Sequence, residues 1–293
     1  MPATMPSSAP VMELLSEHRC HGGMQQFYQH ASAEIGLTMR FAVYLPPQAL
    51  AGASCPGVMF LAGLTCNEET FMIKAGAQAV AAREGIILIA PDTSPRGANL
   101  PGDNDAWDFG VGAGFYLDAT EQPWCRHYRM HSYLVHELRP LLLTAFPLHA
   151  ERIGIMGHSM GGHGALVLAL RHPKLFRSVS AFAPIAAAMQ SPWGQKAFSG
   201  YLGPDQLSWR HYDATVLMQQ QSAAPFPQGI LIDQGLGDKF LAEQLQPERF
   251  AAACQQVQQP LNLRQHAGYD HGYYFINSFI EDHLLHHKNQ LSN

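Results

Sequence analysis

Arg152-Ile-Gly-Ile-Met-Gly-His-Ser-Met-Gly-Gly-His-Gly-Ala-Leu166 is the stretch whose reading decides the fold. It reads as a buried strand at 153–156, a tight turn, and a helix from about Met160 to His172. Inside the turn, Gly157-His-Ser-Met-Gly161 has the G-x-S-x-G form of a serine held on a sharp strand-to-helix bend. Glycines two residues on either side let neighbouring backbone pass where any side chain would collide. Ser159 then stands at the head of a helix, where free N–H groups and the positive dipole end favour an oxyanion. Gly157, Gly161, Gly162 and Gly164 also suggest a dinucleotide-binding turn. That reading needs an acidic residue at the end of the next strand, and Ser178-Val-Ser-Ala-Phe-Ala-Pro184 supplies none.

Working outward, the strands predicted on either side are short and continuously apolar. Gly57-Val-Met-Phe-Leu-Ala62, Ile86-Ile-Leu-Ile-Ala90, 179–183 and Gly229-Ile-Leu-Ile-Asp233 alternate with helical stretches such as 69–83, 131–146 and 247–256. Strands apolar on both faces belong to a parallel sheet covered on both sides. Phe27 to His30 and Thr38 to Leu45 are expected as an antiparallel pair at one margin, and Leu261 to Gln265 as the last strand. A helix over 273–286 closes the chain. The segment 92–128 has no periodicity but carries Trp107, Phe109, Phe115, Tyr116 and Trp124; Gly110 to Gly114 within it reads as flexible backbone. The segment 184–227 reads as a cap. The expected fold class is α/β, a mostly parallel central sheet with helices on both faces, with residues 12–293 as one domain and residues 1–11 as a disordered lead.

A chain of 293 residues, 47% hydrophobic and 14% charged, is long enough for a substantial core. The net charge of −5, without a basic block, argues against a nucleic-acid partner. Five scattered cysteines (Cys20, Cys55, Cys66, Cys125, Cys254) without C-x-x-C pairs suit free thiols in a reducing compartment. The first ten residues lack the pattern of a signal peptide, and no apolar run approaches the roughly 20 residues that span a bilayer, so no membrane is expected and the location is read as cytoplasmic.

Working residues of open parallel sheets gather just past the carboxyl ends of strands. Two more such loops carry an acid and a base: Gln234-Gly-Leu-Gly-Asp238 and His266-Ala-Gly-Tyr-Asp-His271. The chain order Ser159, Asp238, His271 is that of α/β-hydrolases. His271 would take the serine proton and return it to the leaving group, while Asp238 orients the imidazole. Met160 N–H and Leu64 N–H, the latter in the loop Ala62 to Cys66, are the expected oxyanion donors. Asp233 and Asp270 compete for the acid's role, but Asp233 lies in or at the end of its strand and Asp270 adjoins the histidine too closely. His158 and His163 are expected to pack or hydrogen-bond. His283, His286 and His287 share helical spacing and are read as a solvated terminal face rather than a metal site. Cys66 either lines the pocket or is a small buried thiol.

Gly63-Leu-Thr-Cys66, Asp92-Thr-Ser-Pro-Arg-Gly97, Trp107-Asp-Phe-Gly110, Gly112-Ala-Gly-Phe-Tyr116, Lys196-Ala-Phe-Ser-Gly-Tyr-Leu-Gly203 and Gly268-Tyr-Asp-His271, together with the elbow, closely resemble the S-formylglutathione hydrolase (esterase D) family of α/β-hydrolases. The resemblance runs from about Leu14 onward. It implies a cytoplasmic serine thioesterase, needing no cofactor and no metal, that hydrolyses S-formylglutathione to glutathione and formate. It carries the family's triad onto Ser159, Asp238 and His271 and its oxyanion donors onto Leu64 and Met160. The family commonly forms homodimers. Trp107 and Trp193 would close a small acyl pocket; Lys74, Arg96, Lys196 and Lys239 are the cations available for glutathione's carboxylates. A broad carboxylesterase with the same triad is the nearest alternative, and short acyl esters are expected as side substrates.

Overall fold

Three strands open the sheet as an antiparallel meander: β1 (Met12–Cys20), β2 (Gly23–Ala31) and β3 (Thr38–Leu45). The remainder are β4 (Cys55–Leu61), β5 (Ile87–Pro91), β6 (Leu148–His158), β7 (Ser178–Phe182), β8 (Ile230–Gly235) and β9 (Leu261–His266). The computed structural model describes residues 12–292; the lead expected over 1–11 lies outside the described residues. The nine strands among the described residues join one sheet in the order β1-β2-β3-β5-β4-β6-β7-β8-β9. Only the pairings among the first three strands and that of β3 with β5 are antiparallel. From β5 to β9 the sheet is parallel, as buried, continuously apolar strands require.

The meander has one strand more than the sequence predicts. β1 turns back into β2 through His21 (φ 48°) and Gly22 (φ 75°), the positive-φ pair that suits a tight hairpin. Glu13 to Arg19 are all exposed, so β1 offers no apolar alternation by which to recognise it.

The elbow helix Met160–Arg171 and the helices 214–219 and 247–256 cover one face of the sheet, while the helix Ala77–Glu84 and the closing helix Tyr273–Leu291 cover the other. The single helix expected over 69–83 is two. Asn67 caps the first, Glu68–Lys74, by accepting from Glu69 N–H at 3.2 Å. Gly76, at φ 68°, then breaks the path, and a Cβ there would sit 2.5 Å from Asn277 Nδ2. The helix expected over 131–146 likewise passes through a wide π-type turn at Tyr133–Leu138, which accommodates the missing N–H and bulky ring of Pro140. Within the cap, Ser191, Asp205 and Asp213 each accept from an N–H of the helix they begin.

Candidate active site

Ser159 is held at φ 56°, ψ −118° between β6 and the elbow helix. That backbone region is foreign to a non-glycine residue, and such strain costs about 1–3 kcal/mol. Close packing enforces it: a Cβ on Gly157 would lie 2.1 Å from the Gly161 carbonyl oxygen, and one on Gly161 would lie 1.9 Å from that of Leu61. Ser159 N–H donates to Phe182 O at 3.0 Å, tying the bend to β7.

The loop after β4 comes up beside the serine. A Cβ on Gly63 would be 3.3 Å from Ser159 Cβ, which places the neighbouring Leu64 beside Ser159. Its neighbour Thr65 is also strained, at φ 67°, an outlier for a β-branched residue. Among the described residues neither Leu64 N–H nor Met160 N–H donates to a protein acceptor. Two free donors beside one serine is the arrangement a tetrahedral oxyanion needs.

The loops after β8 and β9 are laced together: Leu236 N–H donates to His266 O at 2.9 Å and Gly237 N–H to Tyr269 O at 2.8 Å. This brings Asp238 against His271, with Asp238 Oδ2 and His271 Nδ1 2.5 Å apart. Phe240 N–H donates to Asp238 Oδ1 at 2.8 Å, fixing the carboxylate plane. With Nδ1 engaged, Nε2 is the nitrogen left for proton transfer. Ser159 and His271 line one cavity of about 150 Å³ with Gly63, Leu64, Cys66, Trp107, His158, Trp193 and Phe240. No hydrogen bond joins Ser159 Oγ to the imidazole among the described residues; such bonds often tighten only as the transition state forms.

Trp193 is buried and Trp107 is 55% exposed, their rings meeting edge to face at 5.4 Å. Phe240, which the sequence did not single out, stands between Trp193 (4.7 Å) and His271 (5.1 Å). Its only signal was an apolar residue two positions after the acid. Cys66 lines the cavity, and burial raises its thiol pKa, with Thr70 and Lys74 opposing. His158 lies 4.4 Å from His271 with the rings tilted by 46°; burial, and then the charge of His271, push its pKa well down, so it stays a neutral packing residue. His163 is buried against Phe115 and Phe198, its pKa pushed by burial to about 4.

The four candidate cations separate. Arg96 points away, donating to Asp92 and to the Cys66 carbonyl. Lys196 is paired with Asp108. Lys239 lies over Phe240, a ring of the cavity wall, at 4.9 Å, and Lys74 lies over Tyr273 at 5.8 Å, one ring away from His158.

Two expectations are corrected. The Gly110 to Gly114 segment is not loose backbone: Gly110 N–H donates to Tyr201 Oη and Gly112 N–H to Ser94 Oγ, both at 2.8 Å. The closing helix does not turn its histidines to water. His283 and His287 are fully buried beneath β7. His283 Nδ1 meets Ser180 Oγ at 2.8 Å and its Nε2 meets Asp233 Oδ2 at 3.2 Å; His287 meets Ser178 and Ser180. Asp233 also receives Arg264 through two bonds. Burial alone would raise its pKa, but hydrogen bonds from His283 and Arg264 outweigh that and hold the carboxyl well below the usual range. Asp270 is exposed and accepts from Gly272 N–H. No group of three or more His, Cys, Asp or Glu among the described residues is placed to hold a metal ion, and no helix among them is long and apolar enough to cross a membrane.

A family described as "Putative esterase" matches residues 32–286. S-formylglutathione hydrolase of Rattus norvegicus is 53% identical over 96% of this chain and 100% of its own length, and that of Paracoccus denitrificans is 50% identical over 95% and 98%. The solved S-formylglutathione hydrolase of Agrobacterium tumefaciens superposes with a TM-score of 0.92 at 45% identity, covering 95% of this chain and 99% of that one. A ferulic acid esterase at 16% identity, with a TM-score of 0.72, shares the fold. With half its residues common to relatives matched along nearly their whole length, the chain belongs to this esterase family, in the group that holds the S-formylglutathione hydrolases.

Proposed function

We propose that the protein hydrolyses S-formylglutathione to glutathione and formate through a formyl ester on Ser159. The observation that carries this reading is the small cavity in which Ser159 and the Asp238-bound His271 meet under two indole rings, room for a one-carbon acyl group. The names of relatives about half identical over their full length support the substrate. Ser159 Oγ adds to the formyl carbon while His271 Nε2 takes its proton, and the oxyanion rests on Leu64 N–H and Met160 N–H. Collapse breaks the carbon–sulfur bond, and His271 returns the proton to the departing glutathione sulfur. Water then adds to the formyl ester, giving its proton to His271, and as the intermediate collapses to formate His271 returns that proton to the departing Ser159 Oγ.

Apolar Leu64, Phe240 and Trp193 also admit an acetyl group, which favours short acyl esters as side substrates. Lys239 and Lys74 are the rim cations left for glutathione's carboxylates. The five free thiols support a reducing, cytoplasmic location, and one sheet running from Met12 to His266 supports a single folding unit over 12–293. A homodimer, tested by sedimentation, completes the reading.

The deciding experiment compares kcat/KM for S-formylglutathione with that for nitrophenyl acetate, in wild type and Ser159→Ala. A thioester preference of several orders of magnitude, with both activities lost in the variant, is expected. Turnover retained by Ser159→Ala would refute the chemistry; an ester turned over as well as the thioester would refute the substrate.

A further inference from the structure

The strained turn at Gly63 to Cys66 is held by hydrogen bonds from two other segments of the chain. Thr65 N–H donates to Gly112 O at 2.9 Å, and Gly112 is itself held by Ser94 Oγ. The Cys66 carbonyl accepts two bonds at once, from Thr93 Oγ1 at 2.6 Å and from Arg96 Nη2 at 3.0 Å. Arg96 is in turn fixed by Asp92, through Nε to Oδ2 at 2.6 Å and Nη2 to Oδ1 at 2.9 Å, and the same carboxylate receives Thr93 N–H at 2.7 Å. Asp92, Thr93 and Ser94 are buried at the carboxyl end of β5, the strand next to β4. The bonds therefore link a rigid strand end to the far side of the turn whose near side meets Ser159.

We propose that Arg96, Asp92 and Thr93 are positioning residues that hold the Leu64 N–H in its oxyanion-binding orientation by gripping the Cys66 carbonyl. The clamp rests on the oxyanion assignment proposed above. A β-branched residue at positive φ relaxes unless its neighbours over-determine it. Thr65 leaves positive φ if the Leu64–Thr65 peptide turns, which the bond from Thr65 N–H to Gly112 O opposes; Thr93 and Arg96, through the Cys66 carbonyl, pin the Cys66–Asn67 peptide that ends the turn. Arg96 suits the task because its planar fork serves a carboxylate and a carbonyl together; a lysine ammonium lacks that fixed geometry. Behind it, a cavity of about 460 Å³ lined by Arg40, Asn67, Glu68, Asp92 and Arg96 leaves the guanidinium approachable from outside the catalytic cavity.

The test is steady-state kinetics of Arg96→Ala, Arg96→Lys and Thr93→Val on S-formylglutathione and nitrophenyl acetate, with thermal melts alongside. A clamp on the oxyanion turn serves both substrates alike. Expected, then, is a fall in kcat of roughly 10- to 100-fold for Arg96→Ala on both, a smaller fall for Arg96→Lys, and little change in KM, as for a displaced transition-state donor. Millimolar guanidinium chloride, but not sodium chloride, should restore part of the kcat of Arg96→Ala by occupying the vacated position against Asp92. If Arg96→Ala fails to fold, Arg96→Lys and Thr93→Val carry the test. Unchanged kcat in the folded variants overturns the clamp. So does a KM increase confined to the glutathione thioester, which would make Arg96 a substrate contact. Turnover in Ser159→Ala would instead sink the proposed chemistry, whatever Arg96 does.

Discussion

Two serine–histidine–aspartate arrangements hang from the same strand. One is the proposed triad: Asp238, three residues past β8, bonds His271 at 2.5 Å, and His271 shares a cavity with Ser159. The other lies on the underside, where Asp233 in β8 bonds His283 at 3.2 Å and His283 bonds Ser180 at 2.8 Å. The hydrogen bonds of the second are the more complete. What it lacks is access, since His283 and Asp233 are fully buried, and a serine on a bend, since Ser180 sits mid-strand in β7. Arg264 and His287 also saturate it. Contact among the three groups is thus insufficient; an open face, a serine on a bend and free N–H donors separate the proposed site from the structural cluster.

Substitutions at matched positions should pull the two apart. The largest effect is expected from Asp238→Asn, which leaves the geometry but favours the wrong imidazole tautomer, with a kcat loss on the order of 10⁴. Its melting temperature should barely move, and a loss of only a few-fold would break the comparison. Asp233→Asn should do the reverse. Stranding Arg264 and the buried histidines costs about 3 kcal/mol, toward the low end because Arg264 is partly solvated. That lowers the melting temperature by roughly 5–10 °C while kcat per folded molecule stays unchanged.

The underside should also register acid. Burial, and then the charge of His283, hold His286 at about 4 against an ordinary 6.5, and burial pushes His287 well below its ordinary value. Folded protein then binds fewer protons than unfolded protein below pH 6.5, so stability falls with pH from 6.5 toward 4. The slope is about 1.4 kcal/mol per pH unit for each such group, discounted for the partial solvation of His286. Melts of wild type and His286→Gln across that window check it: the variant's curve should be flatter, and an identical slope would remove His286 from the account. The smallest effect is expected from Ser180→Ala, which removes bonds to two neutral histidines. About 1–2 kcal/mol of stability should go, read by urea denaturation, with kcat untouched.

The upper site was legible in the sequence because each of its parts is a local signal at a strand end. The elbow glycines, the order Ser159, Asp238, His271 and the loop bearing Leu64 needed only the rule that active residues follow parallel strands. The underside was misread for a physical reason. His283, His286 and His287 face Ser178, Ser180 and a backbone carbonyl, so a polar helix stripe packs on a polar sheet face, and hydropathy registers that as surface. β1 was invisible because both its faces meet solvent, and Gly76 because one glycine in a helical pattern says nothing of what lies beside it.

The backbone angle of Ser159 bears on how such a protein changes over generations or under engineering. A glycine there would sit at ease at φ 56°, and Ser159→Gly should fold more firmly than the protein it came from. Selection for robustness alone would therefore drift toward an inert version of this fold. Keeping the serine requires selection for the chemistry proposed for it.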